Sequence, residues 1–303
     1  MSYFVRTNND LFQVWKIEGS TAVLCGVTNP ENGSGTYFKA GPNETIWDAI
    51  KRGTDWFGPS GETPFVQTEL EPGEYYPRMA RLGGFIGERE WCPDKVGHLS
   101  TIALARVQLS TLTQQLGRIC QTVHPSPETL DVFGHDIRNL LILACTEVEN
   151  HWRGVLGANG VKKDRYDTRD YVLLRKAMKL DEYSVAFPKY PWLDAISPFA
   201  GWGDSGRPTQ DLKWYDAYNA VKHARETNFS RGALRHVFEA LSGCAIMVAA
   251  QFDMERELEM GAEFESFFRF TATPAWERSE LYLAPRLGST TDWRPRNYDF
   301  SRT

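Results

Sequence analysis

The strongest constraint on the fold is a change in the spacing of apolar residues near residue 99. From there onward, apolar residues recur at intervals of three, four and seven, which places them on one side of an α-helix. The pattern predicts helices over about 99–123, 127–156, 168–178 and 209–225, and from about 230 to 252. Ser230 precedes the last of these helices and is a residue type that favours a helix N-terminus. We therefore predict a mainly α protein whose central part is a helical bundle.

The N-terminal and C-terminal parts follow different patterns. Before residue 95, short apolar runs alternate with Gly, Pro and Asn clusters, and two such runs flanking Glu18-Gly19-Ser20 predict a β-hairpin. A strand is predicted within 264–273, and the Pro- and Arg-rich tail after it either wraps back onto the N-terminal module or is disordered. The predicted organisation is a β-rich or irregular N-terminal module at 1–95, a helical bundle at 96–255, and a C-terminal strand and extended tail at 256–303.

Composition excludes several classes of protein. The formal net charge of −5 argues against a chain that coats nucleic acid along its whole surface. Five scattered cysteines without a CxxC motif or zinc-type spacing fit reduced thiols. The N-terminus lacks a signal-peptide pattern, and no apolar run approaches the roughly 18 residues of a membrane span. We expect a cytoplasmic protein with no membrane association, no metal site and no cofactor.

The helix predicted over 209–225 contains the most informative polar cluster. If Trp214 and Val221 face the core, then Asp216, Asn219 and His223 share the opposite side, because each helical residue turns by about 100°. Asn219 and His223 are four residues apart and are therefore neighbours on the helix surface. A histidine beside an amide and a carboxylate suits general acid–base chemistry.

Local charge indicates what this cluster binds. Lys222, Arg225, Arg231 and Arg235 stand against a single acid, Glu226, over residues 222–236, and residues 161–179 are also rich in Lys and Arg. Two basic segments in an acidic chain favour a localised anion site, for which a phosphate backbone is a natural ligand. The alternative is that both segments are ordinary solvated helix faces.

Two segments carry a resemblance to a known family: the apolar helix from Arg138 to Glu149, and the stretch from Tyr218 to Arg225. Over roughly residues 99–252 the chain resembles the HEPN family of helical domains. Many HEPN domains are metal-independent ribonucleases with an Arg-Asn-x3-His motif, usually working as dimers. Their histidine assists attack by the RNA 2′-hydroxyl, and their arginine stabilises charge on the phosphate. Asn219 and His223 match this motif, and Tyr218 occupies the arginine position.

The resemblance implies a ribonuclease of the bacterial defence or toxin kind, acting on RNA as a homodimer. The catalytic residues would be His223, Asn219 and Arg225. The substrate-binding residues would be Lys222, Tyr218, Arg231, Arg235 and Asp216. Two other functions stay open: a non-catalytic HEPN-like interaction or dimerisation module, favoured by Tyr218 in place of arginine, and a nucleotide-binding sensor. The alternative interpretation of His223 is a surface histidine near a helix C-terminus, where positive charge is favourable.

Overall fold

The computed structural model describes residues 1–81, 95–252, 262–288 and 292–302. Within these ranges the side chains of residues 95, 96, 225, 262, 263 and 302 are not described. The described residues form two compact units. The first unit combines the N-terminal 75 residues and Arg81 with the described part of 276–296, and the second contains most of the chain between them together with the C-terminus.

A five-stranded antiparallel sheet organises the first unit, in the order β4-β3-β2-β1-β5. Glu18 pairs with Thr21 across a two-residue turn in which Gly19 adopts a φ of +57°, as hairpin turns of this kind require. The predicted hairpin is therefore confirmed, within a sheet larger than the sequence indicated. The strands are β1 (Ser2–Arg6), β2 (Val14–Glu18), β3 (Thr21–Leu24), β4 (Tyr37–Lys39) and β5 (Phe65–Gln67).

Both faces of this sheet are covered. Helix α1 (Ile46–Gly53) packs Ile46 and Ile50 against Trp15 on one face. On the other face, Leu283 and Leu287 from the C-terminal part of the chain pack into one cluster with β1 and β2. The two-residue strands Glu74–Tyr75 and Arg294–Pro295 pair in parallel. The segment 276–288 is thus part of the first unit rather than part of a separate tail.

The second unit is helical, with two short strands. Four long helices contact one another and form its bundle: α2, α3, α7 and α9. In chain order the elements are α2 (Lys95–Thr122), α3 (His135–Ala158), α4 (Thr168–Tyr171), α5 (Leu173–Ala177), β6 (Ser184–Ala186), α6 (Pro208–Asp211), α7 (Lys213–His223), α8 (Arg225–Asn228), α9 (Leu234–Phe252), α10 (Ala262–Phe267) and β7 (Arg269–Ala272).

Helix α9 lies at the centre of the bundle and contacts α2, α3 and α7. Every residue from Ala240 to Phe252 is buried, including Ser242 and Gln251. A helix that is buried on all sides needs small and apolar residues all round, and the run from Ala240 to Ala250 supplies them. The sequence stripe therefore predicted this helix but understated how much of it is core. The helix begins at Leu234 and not directly after Ser230, which lies in a preceding 3-10 turn.

Large aromatic side chains fill the space between α3 and the connection that leads to α7. Trp152 on α3 is fully buried and stacks on Trp202, with ring centroids 4.8 Å apart. Its indole also contacts Phe199, Trp214 and Tyr215. The aromatic connection over 187–208 is thus largely a packed loop whose rings extend the core.

Several local predictions need correction. The single helix expected over 168–178 is two short helices, α4 and α5, and the strand expected over 264–273 begins as α10 before β7. Helix α1 was not predicted, although Thr45 and Asp48 form a capping box at its start. Residues 253–261, which form most of the acidic stretch from Asp253 to Glu265, lie outside the described residues, as does Cys92. The four described cysteines are free thiols. No helix in the described ranges has the length and apolar character needed to cross a membrane.

Candidate functional site at the contact of α3 and α7

Helix α7 places the sequence-predicted residues as its periodicity requires. Tyr218 and Val221 are buried with Trp214, whereas His223 is the exposed last residue of the helix. Asn219 and Asp216 are half-buried on the outer side. The helix ends because Ala224 leaves the helical conformation, with φ −138° and ψ 62°. His223 is therefore solvent-accessible at a helix end.

Helix α3 runs antiparallel to α7, and the contacts between the two helices involve Tyr215 and Val221 of α7. The Tyr215 hydroxyl donates to Glu149 Oε1 at 2.7 Å near the start of α7. At the other end, the Arg138 guanidinium donates to the Val221 carbonyl through Nη2 at 3.0 Å and Nε at 3.3 Å. We call this line of contacts the α3–α7 seam, defined by Arg138 and Glu149 on α3 and by Tyr215, Tyr218 and Lys222 on α7.

Tyr218 and Lys222 form the middle of the seam. The Lys222 ammonium donates to the Tyr218 hydroxyl at 2.6 Å and lies 4.8 Å from the centre of its ring. Burial raises the pKa of Tyr218, so the phenol is neutral. The hydrogen bond to Tyr218 raises the pKa of Lys222, so the amine is charged. Tyr218 is therefore a buried tyrosine that holds a lysine at the surface.

The seam also buries a tyrosine against a carboxylate. Burial, followed by the charge of Glu149, raises the pKa of Tyr215. Tyr215 therefore acts as a hydrogen-bond donor that fixes Glu149, and its own carbonyl accepts a hydrogen bond from Asn219 Nδ2 at 3.1 Å. Among the described residues, Asn219 makes no hydrogen bond to His223, although the two are neighbours on the helix.

The remaining predicted binding residues are paired with one another or elsewhere. Arg231 Nη2 donates to Asp216 Oδ2 at 2.6 Å, so these two predicted residues neutralise each other. Arg235 donates to Asp131 at 2.5 Å, at the start of α9. The side chain of Arg225 lies outside the described residues. The structure thus brings Tyr218 and Lys222 together beside α3, and it places Arg231 and Arg235 in ion pairs.

Arg138 is the functional candidate that sequence reasoning missed. Its guanidinium contacts the last turn of α7, two residues before His223, across 83 residues of chain. Within the described part of the chain no carboxylate pairs with it; its third contact is Nη1 to Asn139 Oδ1 at 3.3 Å. The sequence holds one weak signal, because Arg138 is the first residue of the apolar segment 138–149. Its position beside α7 becomes visible only in the folded structure.

Comparison with protein-family models, curated proteins and solved structures finds nothing similar to this chain. Among the described residues there is also no group of three or more His, Cys, Asp or Glu side chains able to hold a metal ion.

A second polar cluster lies inside the bundle. Arg78 Nε donates to Gln251 Oε1 at 2.8 Å, and Gln251 Nε2 lies 3.0 Å from His151 Nδ1. Gly154 makes room for the Arg78 guanidinium, since a Cβ there would lie 2.0 Å from Nη1. His151 is 4% exposed, and its Nε2 is 3.4 Å from Glu147 Oε1 without a hydrogen bond. Burial, and then the charge of Arg78, lower the pKa of His151 to about 3.

This cluster predicts an acid-labile fold. The folded protein keeps His151 neutral, while the unfolded chain protonates it below about pH 6.5. The contribution of neutral His151 to the free energy of unfolding is therefore complete above pH 6.5. It is lost as the pH falls toward 3, at a slope of up to about 1.4 kcal/mol per pH unit. Urea unfolding at several pH values should show a shallower pH dependence for His151→Gln than for wild type. The exposed His124→Gln should keep the wild-type slope, and an unchanged slope in His151→Gln would refute the assignment.

Proposed function

We propose that this chain is a metal-independent ribonuclease whose active site is the end of the α3–α7 seam at the C-terminus of α7. The observation that carries the proposal is the position of Arg138. A guanidinium without a carboxylate partner among the described residues lies at the last turn of α7, where His223 is exposed. Lys222 adds a second surface charge one residue before His223. A histidine and two cationic residues at or near one helix end suit a reaction at a phosphodiester.

Each side chain has a role in this proposal. His223 takes the proton from the RNA 2′-hydroxyl, whose oxygen attacks the adjacent phosphorus as the bond to the 5′-oxygen breaks. Arg138 and Lys222 bind the phosphate oxygens, on which negative charge develops. Asn219 positions the substrate through its free carbonyl oxygen. Tyr218 holds Lys222 and does not contact the phosphate. The products are a 2′,3′-cyclic phosphate and a 5′-hydroxyl.

A homodimer is part of the proposal, because the leaving 5′-oxygen also needs a proton. One subunit presents a single His223 at this end of the seam. A second copy facing it would supply a second His223 as the general acid. The HEPN-like resemblance, with its dimeric enzymes, supports this arrangement.

One observation favours a second function. Tyr218, in the family's arginine position, is 1% exposed and its hydroxyl is engaged by Lys222. A buried tyrosine in this position favours a non-catalytic HEPN-like interaction module or a nucleotide-binding sensor. The cations of the seam would then bind an anion without cleaving it.

Incubation of purified wild-type protein with single-stranded RNA in EDTA separates these functions. We expect RNA cleavage that EDTA does not reduce, with a DNA strand of the same sequence left intact because it lacks the 2′-hydroxyl. RNA that is bound but stays intact would contradict the ribonuclease and favour the interaction module or sensor.

A further inference from the structure

Arg118 on α2 lies between two cavities of the second unit, with volumes of about 550 and 510 Å³. Both volumes fall in the range of about 300–1,000 Å³ that small-molecule sites occupy. No carboxylate in the described ranges pairs with Arg118, whereas Arg231 and Arg235 each form an ion pair. Arg118 is therefore a charge that a ligand can use.

The first cavity, between α2 and the start of α3, is suited to a flat, neutral group. Ile119 and Ile137 contribute an apolar wall, and Phe133 lines the cavity with 48% of its surface exposed. Asp136 and Asn139 add hydrogen-bonding groups at the edge. Proteins recognise unpaired RNA bases in this way: the base stacks on an exposed aromatic ring, and neighbouring donors and acceptors bind the edge of the base. The Asp136 carboxylate makes this cavity unfavourable for a phosphate.

The second cavity has the opposite character. It is lined by Arg118 and Lys189 together with Gln121 and Tyr190, and no carboxylate is among its described lining residues. Lys189 Nζ lies 4.1 Å from the centre of the Phe267 ring and makes no ion pair with a described residue. Two cations with neutral polar neighbours suit a phosphate group.

Ring contacts link the lining of the first cavity to the segment that follows α7. The His135 ring lines it and lies 4.8 Å from the ring of Phe229, which α8 connects to His223. Phe133 also contacts Phe229, with ring centres 5.9 Å apart. Arg138 follows His135 by about one helical turn on α3. The start of α3 therefore carries both a residue of the proposed active site, Arg138, and residues that line the first cavity, His135 and Asp136.

We propose that the surface on both sides of Arg118 binds one nucleotide of a single-stranded RNA. The base stacks on Phe133 in the first cavity, and a phosphate lies between Arg118 and Lys189 at the second. This inference rests on the proposed ribonuclease function and names its substrate: an unpaired strand, because a paired base is not free to enter the cavity.

Binding of a labelled short single-stranded RNA, measured by fluorescence anisotropy, tests the proposal. The His223→Ala background in EDTA keeps the strand intact. Arg118→Gln should raise Kd by about tenfold and reduce the slope of log K against log salt by about 0.7, the share of one phosphate contact. Phe133→Ala should raise Kd by about five- to a hundredfold, and Phe133→Tyr should restore it because the ring remains. Arg153→Gln, on an exposed arginine of α3 outside both cavities, is the matched control.

The outcomes separate this inference from the nuclease itself. Equal effects of Arg118→Gln and Arg153→Gln would overturn it, and so would a mononucleotide that binds as tightly as the strand. If the wild-type protein does not cleave RNA but Arg118→Gln weakens RNA binding, the RNA-binding surface at Arg118 is retained and the ribonuclease is refuted. If Arg118→Gln cleaves RNA with an unchanged KM, the ribonuclease is retained and the RNA-binding surface at Arg118 is refuted. Thermal unfolding of each variant confirms that it is folded.

Discussion

Replacing His223 with alanine is expected to lower the rate of RNA cleavage by about 10²–10⁴-fold, the contribution of a general acid–base side chain. The fold should not change, because His223 is exposed at the end of α7 and makes no hydrogen bond to a described residue. The rate is measured under single-turnover conditions, so that binding and cleavage are separated, and the melting temperature is recorded for each variant.

His124→Ala is the matched control for this substitution. His124 is also exposed, and its ring packs against Trp192 at 5.2 Å, away from the α3–α7 seam. We expect a wild-type cleavage rate from this variant. A rate within about threefold of wild type in His223→Ala would exclude His223 from general acid–base chemistry, because that role contributes at least about a hundredfold.

The second large effect concerns stability. Trp152→Ala is expected to reduce the free energy of unfolding by about 3–5 kcal/mol, since it removes a large, fully buried ring and leaves a cavity. The loss falls on a cluster that positions α7, because Trp152 contacts Trp214 and Tyr215 of that helix. Chemical denaturation followed by circular dichroism gives the value.

Trp192→Ala serves as the comparison, because Trp192 is 49% exposed and its indole donates one hydrogen bond, to the Pro125 carbonyl at 2.7 Å. The expected loss is below about 1.5 kcal/mol, the scale of one hydrogen bond. Similar losses for the two variants would contradict a large contribution of the Trp152 cluster to stability.

Much of the helical part follows from the sequence, because burial on one side leaves a periodic pattern. Helices α3 and α9 were predicted from the spacing of apolar residues such as Leu141, Val148, Leu241 and Val248, all of which are buried. Helix α1 was missed because it is only eight residues long and lies in a region rich in turn-forming residues. A short amphipathic helix leaves too few turns for its period to stand out.

The candidate site shows the same division. The burial of Trp214 and Val221 and the outward position of His223 follow from one helix, so the sequence predicted them. The pairing of Arg231 with Asp216, and the approach of Arg138 to Val221, depend on how separate elements pack. The first contact pairs two predicted binding residues with each other, and the second adds an arginine to the candidate site. Neither leaves a local pattern in the chain.

A double-mutant cycle on the cleavage rate tests most directly whether Arg138 on α3 and His223 on α7 act on one phosphodiester, as proposed. Arg138→Gln alone should slow cleavage by about a hundredfold, while adding it to His223→Ala should cost much less, because groups that act as a unit are not additive. Arg138→Lys, which retains the charge, should recover part of the rate. Effects that multiply in the double variant, or an Arg138→Gln rate equal to wild type, would contradict a shared site.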